Sequence, residues 1–205
     1  MDFYKVIDKR RTVRSFSDRK VPKEIIYKIL DAGIKAPTYN HLREWDFLLV
    51  NDENTRLSIV KAEGIPDSVN ITELEQNFID ADSHAKQMYL DAIPRQKSML
   101  LKAPELLVVV FKPKTKVDKS KSVYDLNCLS SAWCCIENIL LAMAAENLFG
   151  VTYIPQKGKE VKQVLNVPEE LEIAALIPFG YKPEESNIVP QKNIDLKTRI
   201  HLNTW

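Results

Sequence analysis

The sequence predicts an α+β protein, on three observations. Apolar residues recur at helical spacing in two N-terminal segments, and the stretch from Ser122 to Asn147 contains neither Gly nor Pro. Between these helical pieces lie short β-branched runs with the character of buried strands. The chain has 205 residues, 45% apolar and 28% charged, which suits one globular domain burying roughly 70% of its unfolded surface. With 29 basic and 28 acidic residues it has no general pull on nucleic acid or an anionic membrane, so any basic site must be local.

The elements follow in order. Phe3, Val6, Ile7 and Arg10 make the first ten residues a short amphipathic helix. A second helix has Pro22 in its first turn, runs through Ile25, Ile26, Ile29, Leu30 and Ile34, and stops before Pro37. The loop "APTYNHLREW" and a strand "DFLLV" come next. Residues 64–102 are more polar and broken at Pro66 and Pro94; "TELE" at 72–75 fits a capping box, so short helices are expected here, in the manner of a lid. "ELLVVVF", residues 105–111, is a second strand. In the stretch from Ser122 to Asn147, Asp125, Asn127, Ser130, Ser131, Glu137 and Asn138 interrupt every window of about 20 residues, which predicts a buried central helix rather than a membrane span, with Gly150 as its cap. "VTYIP" and "LEIAALIPF" are two further strands.

The tail carries its own signal. Beyond Gly180 the chain passes Pro183 and Pro190 and reaches "IDLKTRIHL", with Ile194, Leu196, Thr198, Ile200 and Leu202 on one face and Asp195, Lys197, Arg199 and His201 on the other. That period of two predicts a half-buried strand, which either joins the sheet of another subunit or forms an edge of its own. No repeat or dividing linker is present, so residues 1–205 form one domain with residues 184–205 as an extended arm.

Several chemistries can be set aside. Three histidines, His41, His84 and His201, without close pairing offer no zinc or iron site. Five glycines form no P-loop, no GxGxxG fingerprint and no GxSxG elbow. Cys128, Cys134 and Cys135 lie in the predicted central helix and are expected as small core residues. The N-terminus, charged on both sides of a short apolar stripe, reads as no signal peptide, so a cytoplasmic protein is expected. The local basic site is "KRRTVRSF", where Lys9, Arg10, Arg11 and Arg14 bring four charges into six residues. If extended, the segment places Arg10, Thr12 and Arg14 on one side, a suitable phosphate clamp. Alternatively, the same charges complement the dipole at a helix C-terminus.

An ordered set of motifs resembles the FMN-dependent nitroreductases. "RRTVRSF" is similar to that family's RRS-x-R-x-F, and "APTYNHLREWDFLLV" to its APS-x-x-N-x-QPW-x-F. "KAPELLVVV" follows, then "CIENILLAMAAENLFGVTYIP", like the family's central helix and next strand, and last "IPFGYKPEE", close to I-P-x-G-Y-P. The resemblance implies a nitroreductase-like fold, a mixed, mostly antiparallel sheet flanked by helices, assembled as an intertwined homodimer. It implies FMN as cofactor, with Arg10 and Thr12 on phosphate and ribityl, Arg11 acting partly through its backbone, Arg14 nearer the pyrimidine side, and Lys192 as a second phosphate ligand. A cation at that side favours the anionic reduced flavin. Pro155, Gln156, Lys157 and Gly158 match the segment whose main-chain amides approach flavin N5 and O4. Pro37, Thr38, Tyr39 and His41 would come from the other subunit.

The departures are His41, Arg43 and Glu44 in the second motif, where Arg43 and Glu44 could form an exposed ion pair, and Asn193 where a basic residue is common. The implied reaction is ping-pong: NADH or NADPH reduces the flavin, then a nitroaromatic, quinone or similar small acceptor is reduced on the same face, with no catalytic side chain. Two alternatives stay open: a family relative with another flavin reaction, such as reductive dehalogenation or oxygen-dependent flavin cleavage, to which a substrate-capping lid in residues 64–102 would point, or a non-enzymatic binder of some other phospholigand.

Overall fold

The computed structural model describes residues 2–186 and 188–205; Met1, in the predicted first helix, and Asn187, in the predicted arm, lie outside the described residues. Asp2 starts helix α1 (Phe3–Lys9) by accepting from the Tyr4 and Lys5 N–H groups, which satisfies two otherwise free donors. Arg10 closes the helix, its N–H still donating to Val6 O. Helix α2 (Lys23–Ile34) follows Pro22, and strand β1 (Trp45–Leu49) follows the loop after it. Helix α3 (Glu53–Glu63) runs from an Asp52 cap to Gly64, which takes the left-handed conformation at φ 69°.

Residues 64–102 form helices α4 (Ile71–Asn77), α5 (Ser83–Ala92) and α6 (Gln96–Lys102). The expected cap within "TELE" shifts two residues: Asn70, not Thr72, accepts from the Thr72 and Glu73 N–H groups, because its side-chain carbonyl already occupies that position. Strand β2 (Glu105–Phe111) matches its predicted limits.

Helix α7 (Asn127–Ala145) is preceded by a 3₁₀ turn, Val123–Leu126. Together Val123–Ala145 is long and apolar enough to cross a membrane, yet Ala132, Cys135, Ile136, Ile139 and Met143 lie in the protein core. Gly150 does not cap this helix. The left-handed residue is Asn147 at φ 61°, and Gly150 belongs to β3 (Phe149–Gly150), where an added Cβ would sit 3.2 Å from Phe179 Cβ. The close approach to the neighbouring strand favours glycine there, since a larger residue would need Phe179 to give way by a few tenths of an ångström. "VTYIP" shortens to a single antiparallel bridge between Tyr153 and Leu176. Helix α8 (Gly158–Val164) and strand β4 (Glu172–Gly180) complete the α-helices and strands among the described residues.

The sheet order is β1-β2-β4-β3, every named pair antiparallel, with one parallel bridge from Thr12 to Gly150. The four-stranded sheet is therefore antiparallel, with the parallel bridge an isolated addition at its β3 edge. Both faces are covered, which explains why β2 is apolar beyond Glu105 rather than alternating. Leu107, Val109 and Phe111 face a core with Ile29 of α2 and Ile136, Ile139 and Met143 of α7. Leu106, Val108 and Val110 face the other core, with Ile59, Val60, Met99, Leu100 and Val161 from α3, α6 and α8. Gly33 lets α2 approach α7 closely: a Cβ there would lie 2.7 Å from Ile139 Cγ1.

The tail and the cysteines depart from expectation. The tail forms no strand within the chain; Asp195 caps a 3₁₀ turn, Leu196–Arg199, and Ile194, Leu196, Ile200, Leu202 and Trp205 are exposed. A period-two pattern yields a strand only where a sheet edge is on hand to pair with it. Of the three cysteines, only Cys135 is core; Cys128 is half-buried and Cys134 exposed, because α7 buries one side only. Burial pushes the Cys135 thiol up to about 12. Cys135 should thus resist iodoacetamide in the folded protein and react once urea unfolds it, as read by mass spectrometry of peptides. Alkylation at the native state would contradict this packing.

Candidate functional site

The basic segment leaves α1 and becomes extended at once. Val13 points inward, buried, and its N–H donates to Gly150 O at 3.3 Å. Its neighbours Thr12 and Arg14 turn outward together and line a cleft of about 340 Å³ with Arg11. Arg10 is not among the lining residues. It is still the cap of α1, so the alternation expected from Arg10 begins only beyond it.

The opposite wall comes from α5 and the C-terminal arm. Asp82, His84, Ala85 and Met88 face the cleft from one side, and Val189, Pro190, Gln191 and Lys192 from another. Arg11 fastens the arm: its Nη2 donates to Val189 O at 2.7 Å. Lys192 Nζ stands 3.7 Å from Asp82 Oδ2, both half or more exposed. The N–H groups of Ala85 and His84, with nearby Lys192, help hold the Asp82 carboxyl below its usual range. Arg14 Nη1 donates to Asp91 Oδ2 at 2.8 Å, with side chains only 12% and 14% exposed. Phe78 stacks on Tyr89, ring centroids 4.2 Å apart, and so ties α4 to α5. Arginine, threonine and lysine groups converging on a cleft of this size form a donor set that suits a phosphate ester.

The other expected contributors lie elsewhere. Glu63, 9% exposed at the end of α3, accepts from Tyr153 OH at 2.6 Å, from Gln156 N–H at 3.0 Å and from Lys157 N–H at 2.9 Å. The Lys157 main-chain N–H, assigned by resemblance to a cofactor, is thus engaged by a carboxylate. Burial and the Glu63 carboxylate hold the Tyr153 hydroxyl well above its ordinary range. Pro155, Gln156, Lys157 and Gly158 do not line the cleft.

Pro37, Thr38, Tyr39 and His41 also lie outside it, in a tight loop where Asn40, His41 and Arg43 all adopt positive φ, a costly conformation. Tyr39 N–H donates to Ser131 Oγ at 2.9 Å, which pins the loop to α7. Tyr39 and Tyr124 hydroxyls are 2.6 Å apart, with Lys114 Nζ 3.4 Å from Tyr124. Those two partners hold the Tyr124 hydroxyl below its ordinary range. Arg43 and Glu44 do not pair with each other; Glu44 pairs instead with Lys112 at 3.8 Å, whose N–H also donates to Glu44 O. Among the described residues no cluster of His, Cys, Asp or Glu could hold a metal ion.

Sequence reasoning did not single out Glu63, Asp82, Asp91 or Met88. Asp82 had a local signal, an acid directly before a helix start. Glu63 and Asp91 had none, because their partners are remote in sequence.

Comparison with known proteins places this geometry in context. Residues 7–181 match the profile of the Nitroreductase family. An iodotyrosine deiodinase of Thermotoga neapolitana is 28% identical over 193 residues, covering 93% of this chain and 94% of that protein. Among solved structures, an iodotyrosine deiodinase bound to FMN and 3-iodo-L-tyrosine superposes with a TM-score of 0.75 at 24% identity, covering 100% of both chains. A nitroreductase with bound FMN from Bacteroides fragilis superposes with a TM-score of 0.69 at 20% identity, covering 99% of this chain and 100% of the other.

Proposed function

The chain belongs to the nitroreductase family, and on that premise we propose that it is an FMN-dependent reductase of a small aromatic acceptor, with NADH or NADPH as reductant. The observation that carries the reading is the cleft in which Arg11, Thr12, Arg14 and Lys192 meet. These residues fit FMN: three cations and a hydroxyl converge where a phosphate ester would sit. The competing anion, Asp82, is an exposed partner whose ion pair is weak. When bound, FMN would accept a hydride equivalent from the nicotinamide and pass two electrons to the acceptor.

The protein's own residues would bind and orient. Arg11 would hold both the ligand and the arm through Val189 O, so it positions Lys192 as well. Thr12 would donate its hydroxyl, and Arg14 would face charge developing on the reduced ring. The 64–102 segment would exclude water, since α5 already forms one wall. A homodimer would complete the site. Thr38, Tyr39 and His41 lie away from their own cleft, and the tail leaves its apolar face exposed, so both are free to meet a second copy.

For the acceptor, a wall built by residues 64–102 and the deiodinase relatives together favour reductive dehalogenation of a halogenated phenol. There a carbon–hydrogen bond would replace the carbon–halogen bond, with two electrons from the reduced flavin and one proton taken up and halide as the leaving group. Purified protein, reduced anaerobically and offered 3-iodotyrosine, a nitroaromatic and a quinone in parallel, tests this directly. Stoichiometric iodide release supports dehalogenation; rapid flavin reoxidation by the nitroaromatic or quinone alone would return the reading to nitroreduction. Colourless protein that takes up no FMN would overturn both.

Lys192→Ala and Arg11→Ala are each expected to weaken FMN binding by about 1.5–3 kcal/mol, as lost charge-assisted hydrogen bonds. Arg10→Ala, outside the cleft, is expected to do less. Titration of FMN into deflavinated protein by fluorescence quenching measures all three. Unchanged affinity in the Arg11/Lys192 double variant would remove the phosphate assignment.

A further inference from the structure

One carboxylate on the helix that walls this cleft, outside the lining itself, carries two guanidinium groups. Asp91 Oδ2 accepts from Arg14 at 2.8 Å, and Asp91 Oδ1 accepts from Arg95, whose Nη1 also donates to Asp91 O at 2.9 Å. Asp91 is the penultimate residue of α5, where the partial negative charge of a helix C-terminus disfavours an acid. Its place is explained by the two cations rather than by the helix. The contact spans 77 positions and joins the extended basic segment to the helix that walls the cleft. Arg14 is mostly buried, so one fixed partner holds its fork while its remaining donors are left for the cleft.

We propose that Asp91 is a positioning residue: it fixes Arg14 in the cleft, sets the positive charge Arg14 presents there, and couples the α4–α5 segment to the bound cofactor. This rests on the FMN reading above. The triad of Arg14, Asp91 and Arg95 has a net charge of plus one in formal terms, two cations against one anion. Removing the anion raises the positive charge beside the cleft; removing Arg95 lowers it. Each change acts on any negative charge gained by a flavin held there. The two substitutions therefore push in opposite directions, a pattern that mere loosening of the fold does not produce.

The test uses the full chain loaded with flavin, with the midpoint potential measured by dye-linked spectroelectrochemistry and FMN affinity measured on the deflavinated form. Asp91→Asn keeps one acceptor for Arg14 and should shift the potential upward; Arg95→Gln should shift it downward. Asp91→Ala should raise the FMN dissociation constant about tenfold, because Arg14 loses a charge-assisted bond that orients it. If the wild type holds FMN but Asp91→Asn and Arg95→Gln leave its potential unmoved, or move it in the same direction, the role of Asp91 is overturned and the cofactor reading stands. Wild-type protein that binds no FMN overturns both.

Discussion

Arg56→Ala is expected to lower folding stability by about 3–5 kcal/mol, since it removes the partner of several buried carbonyls at once. Arg56 is only 5% exposed, on α3 beneath the sheet. Its Nε donates to Val50 O at 2.7 Å and its Nη1 to Ala103 O at 2.5 Å, with longer contacts to Leu101 O and Pro104 O. These carbonyls belong to the end of β1, the end of α6 and the turn into β2, so one guanidinium ties the β1–β2 ladder to the end of α6. Burial lowers the Arg56 pKa from its usual value, opposed by the Glu105 carboxylate; burial raises the Glu105 carboxyl, opposed by Arg56.

This pair gives the stability a pH dependence of definite sign. A carboxyl whose folded pKa is raised adds no cost at low pH, where both states hold the proton, and adds cost as pH rises through its ordinary range. Without Arg56 that cost at Glu105 grows, so the variant's deficit should be larger at pH 7 than at about pH 4. Urea unfolding at the two pH values measures it. Arg56→Lys, with one nitrogen for several carbonyls, should recover only part of the loss. A wild-type unfolding midpoint in the Ala variant would show that water satisfies these carbonyls.

Deleting residues 191–205 is expected to lower the stability of the proposed dimer and flavin retention together. Burying Ile194, Leu196, Ile200 and Leu202 on a second copy would contribute about 1.5–3 kcal/mol for each side chain. The same deletion removes Lys192 from the cleft. Replacing only Lys197 and Arg199 with Ser should change little. Analytical ultracentrifugation alongside flavin absorbance separates the outcomes. A truncated chain that remains a tight FMN-loaded dimer would return the tail to a surface feature. A monomeric wild type that holds FMN would remove the dimer but keep the site.

The sequence by itself determined what local pattern can carry. "ELLVVVF" reads as a strand with the observed limits, because its unbroken apolar run, bounded by "KAP" and "KPK", suits a segment buried on both faces. The two flanking helices of the larger core, α2 and α7, are equally legible from spacing and from the absence of breakers. The ordered motifs identified the family, which its profile match bears out. That Arg10, Arg11, Thr12, Arg14 and Lys192 would share a site came from resemblance; Arg11, Thr12, Arg14 and Lys192 line one cleft and Arg10 does not.

Tertiary structure decided the rest, for a common physical reason: each feature depends on a partner remote in sequence. Arg11 rather than Arg10 reaches the cleft because α1 retains Arg10 as its cap, a matter of where one hydrogen-bond ladder ends. Gly150 is a strand residue rather than a cap, packed so that a Cβ there would lie 3.2 Å from Phe179 Cβ on another strand. Glu63 takes the Lys157 N–H from 94 positions away, and Asp91 takes Arg14 from 77. The tail shows the limit most plainly. Its alternation specifies a strand face, but a strand exists only where an edge accepts its hydrogen bonds, and within one chain those residues form a short exposed turn instead.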